Sequence, residues 1–146
     1  MHTIVVTGGC GFIGSHFIET VLENDHDAAV INFDALTYAA QGVNLLRVKE
    51  HPRYLFAKGD ICDKDAVDRV MKHARYVVNF AAETHVDRSI SGPSVFVRTN
   101  VLGTQVLLES AREHGIERFV QVSTDEVYGS LGPKGAFSER SLLAHN

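Results

Sequence analysis

Cysteine is scarce in this sequence: Cys10 and Cys62 are the only two, and they match no Cys-x-x-Cys or zinc-ligand spacing. A disulfide framework is therefore not expected, and a reduced, cytoplasmic compartment suits the pair better. Positive charge is not in excess either. With 14 Lys and Arg against 18 Asp and Glu, the net charge is −4, which gives no electrostatic reason for a nucleic-acid or anionic-membrane partner. Long apolar runs are lacking, and the N-terminus enters a strand with no basic region before it, so neither a signal peptide nor a membrane span is expected. Glu83, His85 and Asp87 alternate, but no His-Glu-x-x-His pair accompanies them. A metal site is not predicted.

What is present points to one α/β domain. The chain has 146 residues, 45% of them hydrophobic, enough to bury a core. Its organising stretch is Thr3 to Gly14, TIVVTGGCGFIG. Ile4, Val5 and Val6 are β-branched and suit a strand buried on both faces. Gly8, Gly11 and Gly14 then fall at G-x-x-G-x-x-G spacing, where missing Cβ atoms permit a tight turn, close approach of backbone to a pyrophosphate, and close helix packing. Phe12, Ile13, His16, Phe17, Thr20, Val21 and Leu22 recur at helical spacing, so the free N–H groups of a helix start face the loop as an anion site. Gly9 and Gly14 also have phosphate-loop spacing, but position 15 is Ser rather than Lys, and that reading is discarded.

Twenty residues beyond Gly14, Asp34 ends a second apolar strand, 28–33, where a ribose-binding carboxylate belongs. It would repel a 2′-phosphate, and Ala35, Leu36 and Thr37 supply no arginine to hold one. NAD is favoured over NADP. Downstream, strands are predicted at 54–58, 76–80 and 118–123, with a short helix over 44–50, a helix over 64–73 capped by Asp63, and a long helix from Pro93 to His114 stopped by Gly115. The segment AAETHVDRSISG between the fourth strand and that long helix reads as a polar loop. Lys64/Asp68 and Asp65/Arg69 are spaced as i,i+4 pairs on a solvated face. Strand and helix alternate throughout, the pattern of a Rossmann-type doubly wound parallel sheet with helices on both faces. In such a sheet ligands sit beyond the carboxyl ends of the strands. The glycine loop, Asp34, Asp60–Ile61, AAETHVDRS and Ser123–Glu126 all fall there.

Asp125 and Glu126 are adjacent carboxyls at a strand end. If both are partly desolvated, like-charge repulsion keeps one protonated as an acid while the other acts as base, which is the equipment of an elimination. A helix or turn cap made by Ser123, Thr124 and Asp125 is the structural alternative.

TGGCGFIGSH, FDALTYA, GDICD, FAAETHVDRSI, RTNVLGT and VSTDEVYG, in this order, resemble the amino-terminal half of the dTDP-glucose 4,6-dehydratase family of extended short-chain dehydrogenases/reductases. The resemblance runs the length of the chain, and TDEVYG is its most specific part. It implies NAD as cofactor and a nucleotide sugar as substrate. Hydride leaves C4, Glu126 removes the C5 proton while Asp125 protonates the departing C6 hydroxyl, and hydride returns to C6. It also implies that Phe12 and Ile13 lie by the pyrophosphate, Asp34, Ala35, Leu36 and Thr37 by the adenosine ribose, and Asp60 and Ile61 by adenine. Phe80, Ala81, Ala82, Glu83, Thr84 and Thr99 would lie along the cofactor, and Thr84 and Thr124 would touch substrate, with Thr84 standing where serine is usual. Homodimers are implied through helices that include 93–114.

The resemblance further expects a Tyr-x-x-x-Lys pair on a helix after the fifth strand, and a substrate domain from the carboxyl half. Neither falls within these residues, so the expectation is an NAD-binding domain over 1–146, truncated after its fifth strand and inactive alone. Tyr54 and Lys58 have the spacing but lie on a predicted strand. A non-catalytic dinucleotide-binding module and a sugar-nucleotide epimerase or reductase are the competing readings.

Overall fold

The computed structural model describes residues 1–84 and 86–144. Strands β1 (His2–Thr7), β2 (Ala28–Asp34), β3 (Tyr54–Lys58), β4 (Tyr76–Asn79) and β5 (Arg118–Gln121) alternate with helices α1 (Phe12–Asn24), α2 (Lys64–Met71), α3 (Val86–Ser91), α4 (Pro93–Phe96) and α5 (Thr104–Glu113). All strand pairs are parallel, in the order β3-β2-β1-β4-β5. This is the Rossmann-type sheet expected, and the order reverses direction at β1, whose neighbours are β2 and β4. Val5 stands in register with both Ile31 and Val77.

Period-two alternation sends successive side chains to opposite faces. Ile4, Val6, Ala28 and Val30 therefore pack with Ile18 and Leu22 of α1 and with Leu45 and Val48. Val5, Ile31, Phe33 and Val77 pack with Ala66, Val67, Val70 and Met71 of α2 and Val106 and Leu107 of α5. Burial on both faces explains why the central strands are largely apolar rather than alternating with polar residues.

Several local expectations need correction. The buried stripe of α1 is Gly14, Ser15, Ile18 and Leu22, while Phe12 and Ile13 point outward. Residues 44–50 do not form a helix of their own: a 3₁₀ turn spans Gly42–Leu45 and hydrogen-bonded turns follow. The stretch read as a polar loop contains α3, whose six residues are too few to show a helical period, with Asp87 in its first turn. Position 85 lies outside the described residues.

The long helix expected from Pro93 forms and runs without a break to Glu113, but a π-helical segment, Val97–Gly103, lies within it between α4 and α5. A π turn holds more residues than an α turn and rotates everything after it. Along this helix Val97, Val101 and Leu102 are exposed, and Val106, Leu107 and Ala111 are buried. The face of α2 expected to be solvated is a seam. Asp68 accepts from Lys64 at 2.9 Å and from Ser110 Oγ of α5 at 2.6 Å, and Lys64 also reaches Glu113 at 2.6 Å.

Candidate functional site

Five carboxyl-edge segments enclose a cleft of about 270 Å³, lined by the glycine loop, the ends of β2, β3 and β4, and the helical segment around 95–99. Each wall has a local cause. Gly8 sits at φ +66°, and a Cβ there would stand 2.7 Å from the Ala81 nitrogen. Only glycine lets the loop turn this closely against the end of β4. Gly14 packs under the loop, its missing Cβ 2.5 Å from the Gly8 carbonyl oxygen. Gly9, which the three-glycine spacing leaves out, is equally constrained: a Cβ there would meet Asn32 Oδ1 at 2.3 Å.

Helix α1 begins at this loop with Gly11 as its N-cap, no capping side chain and no acidic residue in its first turn. The positive end of the helix is left uncompensated beside the cleft, which suits an anion. Among the described residues, a Cβ at Gly11 would meet only the Gly8 carbonyl oxygen, at 3.2 Å. On the observation of this open cradle, the residues present fit the pyrophosphate of a dinucleotide.

Asp34 is buried at the end of β2 and lines the cleft. Loop 35–41 folds back over it, with the Gln41 N–H donating to the Cys10 carbonyl at 3.0 Å and the Tyr38 hydroxyl to the Thr84 carbonyl at 3.3 Å. Burial, and then the nearby Asp34, push the Cys10 thiol above its ordinary range. The Cys10 side chain is buried among the residues packed on the α1 face of the sheet.

Beneath the opposite wall runs a ladder of side-chain hydrogen bonds at one register level across three strands. Thr7 Oγ1 donates to Asn79 Oδ1, and Asn79 Nδ2 donates to Gln121 Oε1 at 2.8 Å. The Ala81 N–H then donates to Asn79 Oδ1 at 3.2 Å, turning the chain after β4 into the cleft. Asn100, in the π segment, holds the next turn by accepting from the Glu83 N–H at 2.8 Å and donating to the Glu83 carbonyl at 3.0 Å. Among the described residues, Glu83 Oε2 is buried with no hydrogen-bond partner.

Of the positions singled out from the sequence, Gly8, Gly11, Asp34, Ala35, Thr37, Asp60, Ile61, Phe80, Ala81, Ala82, Glu83 and Thr99 line this one cleft. Gly14 lies beneath it. Phe12 and Ile13 turn their side chains to solvent, 87% and 62% exposed, and offer an anion their backbone N–H groups at the helix start. Leu36 lies off the lining at φ +57°, its N–H donating to Asp34 Oδ1 at 2.7 Å. Thr84 sits beside the lining, where its carbonyl meets Tyr38.

Thr124, Asp125 and Glu126 follow β5 at the same carboxyl edge, outside the cleft lining. The desolvation considered for Asp125 and Glu126 does not occur in this chain: both are exposed, on a 3₁₀ turn beyond a strand whose own residues are largely exposed. Thr124 Oγ1 accepts from the Glu126 N–H at 3.3 Å and donates to Asp125 Oδ1 at 3.2 Å, so the turn cap forms and holds the pair together. Lining residues that the sequence reading passed over are Phe33, Ala39, Ala40, Gly59, Val95 and Arg98. Val95 and Arg98 carried a signal, being three apart and next to Thr99 on a predicted helix.

The GDP-mannose 4,6 dehydratase family model matches residues 5–145. The chain is 51% identical to the low-salt glycan biosynthesis protein Agl12 of Haloferax volcanii over 97% of its own length and 45% of that protein. It is 53% identical to a dTDP-glucose 4,6-dehydratase of Streptomyces griseus, over 98% of this chain and 44% of the relative. Among solved structures, the dTDP-glucose 4,6-dehydratase DesIV of Streptomyces venezuelae, with NAD and TYD bound, superposes with a TM-score of 0.92 at 48% identity, covering 99% of this chain and 46% of that one. The chain thus spans less than half the length of these relatives.

Proposed function

Since this chain belongs to the GDP-mannose 4,6 dehydratase family, we propose that it forms the NAD-binding part of a nucleotide-sugar 4,6-dehydratase acting on dTDP-glucose in the cytoplasm, as a homodimer. The observation that carries the reading is the single cleft in which an uncapped helix start and a buried carboxylate are joined by one hydrogen-bonded loop. The dTDP-glucose 4,6-dehydratase relatives and the NAD bound in DesIV support it.

In this reading Gly8 and Gly11 leave room for the pyrophosphate, and the first N–H groups of α1, at Phe12 and Ile13, face its charge. Asp34 accepts from the ribose hydroxyls, Asp60 and Ile61 flank adenine, and residues 80–84 with Thr99 line the remainder. When bound, NAD supplies the acceptor for the C4 hydride and its donor at C6. Glu126 takes the C5 proton, and Asp125 gives a proton to the C6 hydroxyl as it departs as water. Thr124 holds the Asp125 carboxyl and the Glu126 backbone in place and, with Thr84, touches the sugar nucleotide. Desolvation of the pair, which general acid–base work favours, must come with the bound substrate or with further chain. Among Tyr54 and Lys58, which have the spacing of an oxidising pair, Tyr54 is at the amino end of β3, away from the cleft. The 146-residue chain alone is accordingly expected to bind NADH and not to turn over.

The test is Glu126→Gln in a full-length protein carrying this chain. With dTDP-glucose it should still generate bound NADH but release no 4-keto-6-deoxy product. Unimpaired loss of water would remove Glu126 from the mechanism, and absence of any NADH signal in the unsubstituted protein would remove the dehydratase reading.

A further inference from the structure

Arg98 lines the cleft yet has no part in the reading above. It is fixed there twice. Its Nη2 donates to Asp60 Oδ2 at 2.8 Å, and its backbone carbonyl accepts from the Cys62 thiol at 3.2 Å. Asp60 is oriented in turn, because its Oδ1 accepts the Cys62 N–H at 2.9 Å. Further along the π segment, Gly103 packs so closely on Ile61 that a Cβ would stand 2.5 Å from its Cδ1. Turn 60–62 and segment 97–103 are therefore one unit, and its guanidinium belongs to the end of the cleft that Gly59, Asp60 and Ile61 form.

Fold stability does not account for this arrangement. The Arg98 side chain is 62% exposed and that of Asp60 44%, and ion pairs this wet contribute little. A guanidinium, however, is planar, weakly hydrated and prone to stack on aromatic faces, and an edge anchored by a carboxylate gives that plane a set direction. We propose that Arg98 is a contact residue for the adenine end of the dinucleotide, its guanidinium steered by Asp60 to stack on the base. The inference rests on the dinucleotide reading of the cleft and adds to it a residue outside the glycine loop and the ribose carboxylate.

Titrations of the 146-residue chain with NADH, ADP-ribose and reduced nicotinamide mononucleotide, which lacks adenine, test it. Arg98→Ala should weaken NADH and ADP-ribose by the same factor, roughly 3- to 30-fold for a cation–π contact, and leave the mononucleotide unchanged. Arg98→Lys, which keeps the charge without the plane, should stay nearer the alanine variant. The ligand-free melting midpoint should barely move. Unchanged NADH affinity in Arg98→Ala, equal weakening of the mononucleotide, or full recovery in Arg98→Lys each overturns the proposal. An unsubstituted chain that binds none of the three ligands overturns the dinucleotide reading itself, and the inference with it.

Discussion

The backbone N–H of Cys10 donates to Oδ2 of Asp34 at 2.9 Å, so the glycine loop and the end of the second strand meet at one carboxylate. The other oxygen accepts the Leu36 N–H at 2.7 Å, in an Asx turn that accompanies the left-handed conformation of Leu36. Charge-assisted bonds of this kind are stronger than neutral ones. Asp34 is thus aligned before any ligand arrives, which lowers the cost of ordering the site on binding.

Replacing Asp34 with Ser should expose that dual role. NADH affinity should fall, and the preference for NADH over NADPH should narrow by roughly tenfold or more, since a carboxylate near a 2′-phosphate repels it. The melting midpoint should also fall, because two backbone donors lose a charged acceptor. Fluorescence titration with both cofactors, alongside thermal unfolding, checks this. An unaltered cofactor preference would detach Asp34 from the ribose.

Gly8→Ala should damage the fold as well as the site. The new Cβ meets main-chain atoms of Phe80 and Ala81 within 2.8 Å, at a backbone φ of +66° that alanine rarely adopts. Neither can yield without moving the end of β4. A loss of more than about 2 kcal/mol in denaturant unfolding is expected. Gly115→Ala is the control, since it has a similar φ and nothing among the described residues within 4 Å of an added Cβ; it should cost clearly less.

Asp68 ties α2 to α5 in a pH-dependent way. Hydrogen bonds from Ser110, and then Lys64, hold its carboxyl down at about 2, against roughly 3.9 in an unfolded chain. A folded-state value below the unfolded one means that the stabilisation is complete above about pH 4 and disappears as pH falls toward about 2. Urea midpoints for Asp68→Asn should therefore be lower than those of the unsubstituted chain near neutrality and converge with them in acid. Parallel curves would show that the carboxylate charge is irrelevant to the seam.

Arg53 closes the carboxyl end of α1. Its guanidinium donates to the carbonyls of Leu22 at 2.6 Å, Asp25 at 2.6 Å and Ala28 at 2.5 Å, joining the helix, the following turn and the start of β2. Arg53→Met should cost about 3 kcal/mol, because three carbonyls lose a charged donor. Arg53→Lys should recover less than half, because an ammonium lacks the rigid fork that reaches several acceptors. Equilibrium unfolding reads both.

Much of this architecture is legible in the chain because it depends on local chemistry. The β-branched run before Gly8 favours a strand, glycines at three-residue spacing permit a tight turn, and Asp63 caps α2 through the Ala66 N–H as its residue type predicts. The carboxyl-edge cluster follows as well, since strict alternation of strand and helix forces a parallel sheet. The helix from Pro93 is legible too, but apolar spacing is blind to the π segment, Val97–Gly103, inside it.

By itself, then, the sequence determined the five strands, their alternation with helices, the parallel sheet and the glycine loop with Asp34 at the strand ends, because each rests on residues close in the chain. Only the tertiary structure decided that Gly9 has no room beside Asn32, that Thr7, Asn79 and Gln121 form a rung beneath the cleft, and that Arg98 meets Asp60. Those partners are 23 to 72 residues apart or separated by a π turn. The physical reason is that such contacts are set by strand register and helix rotation, which no local pattern encodes.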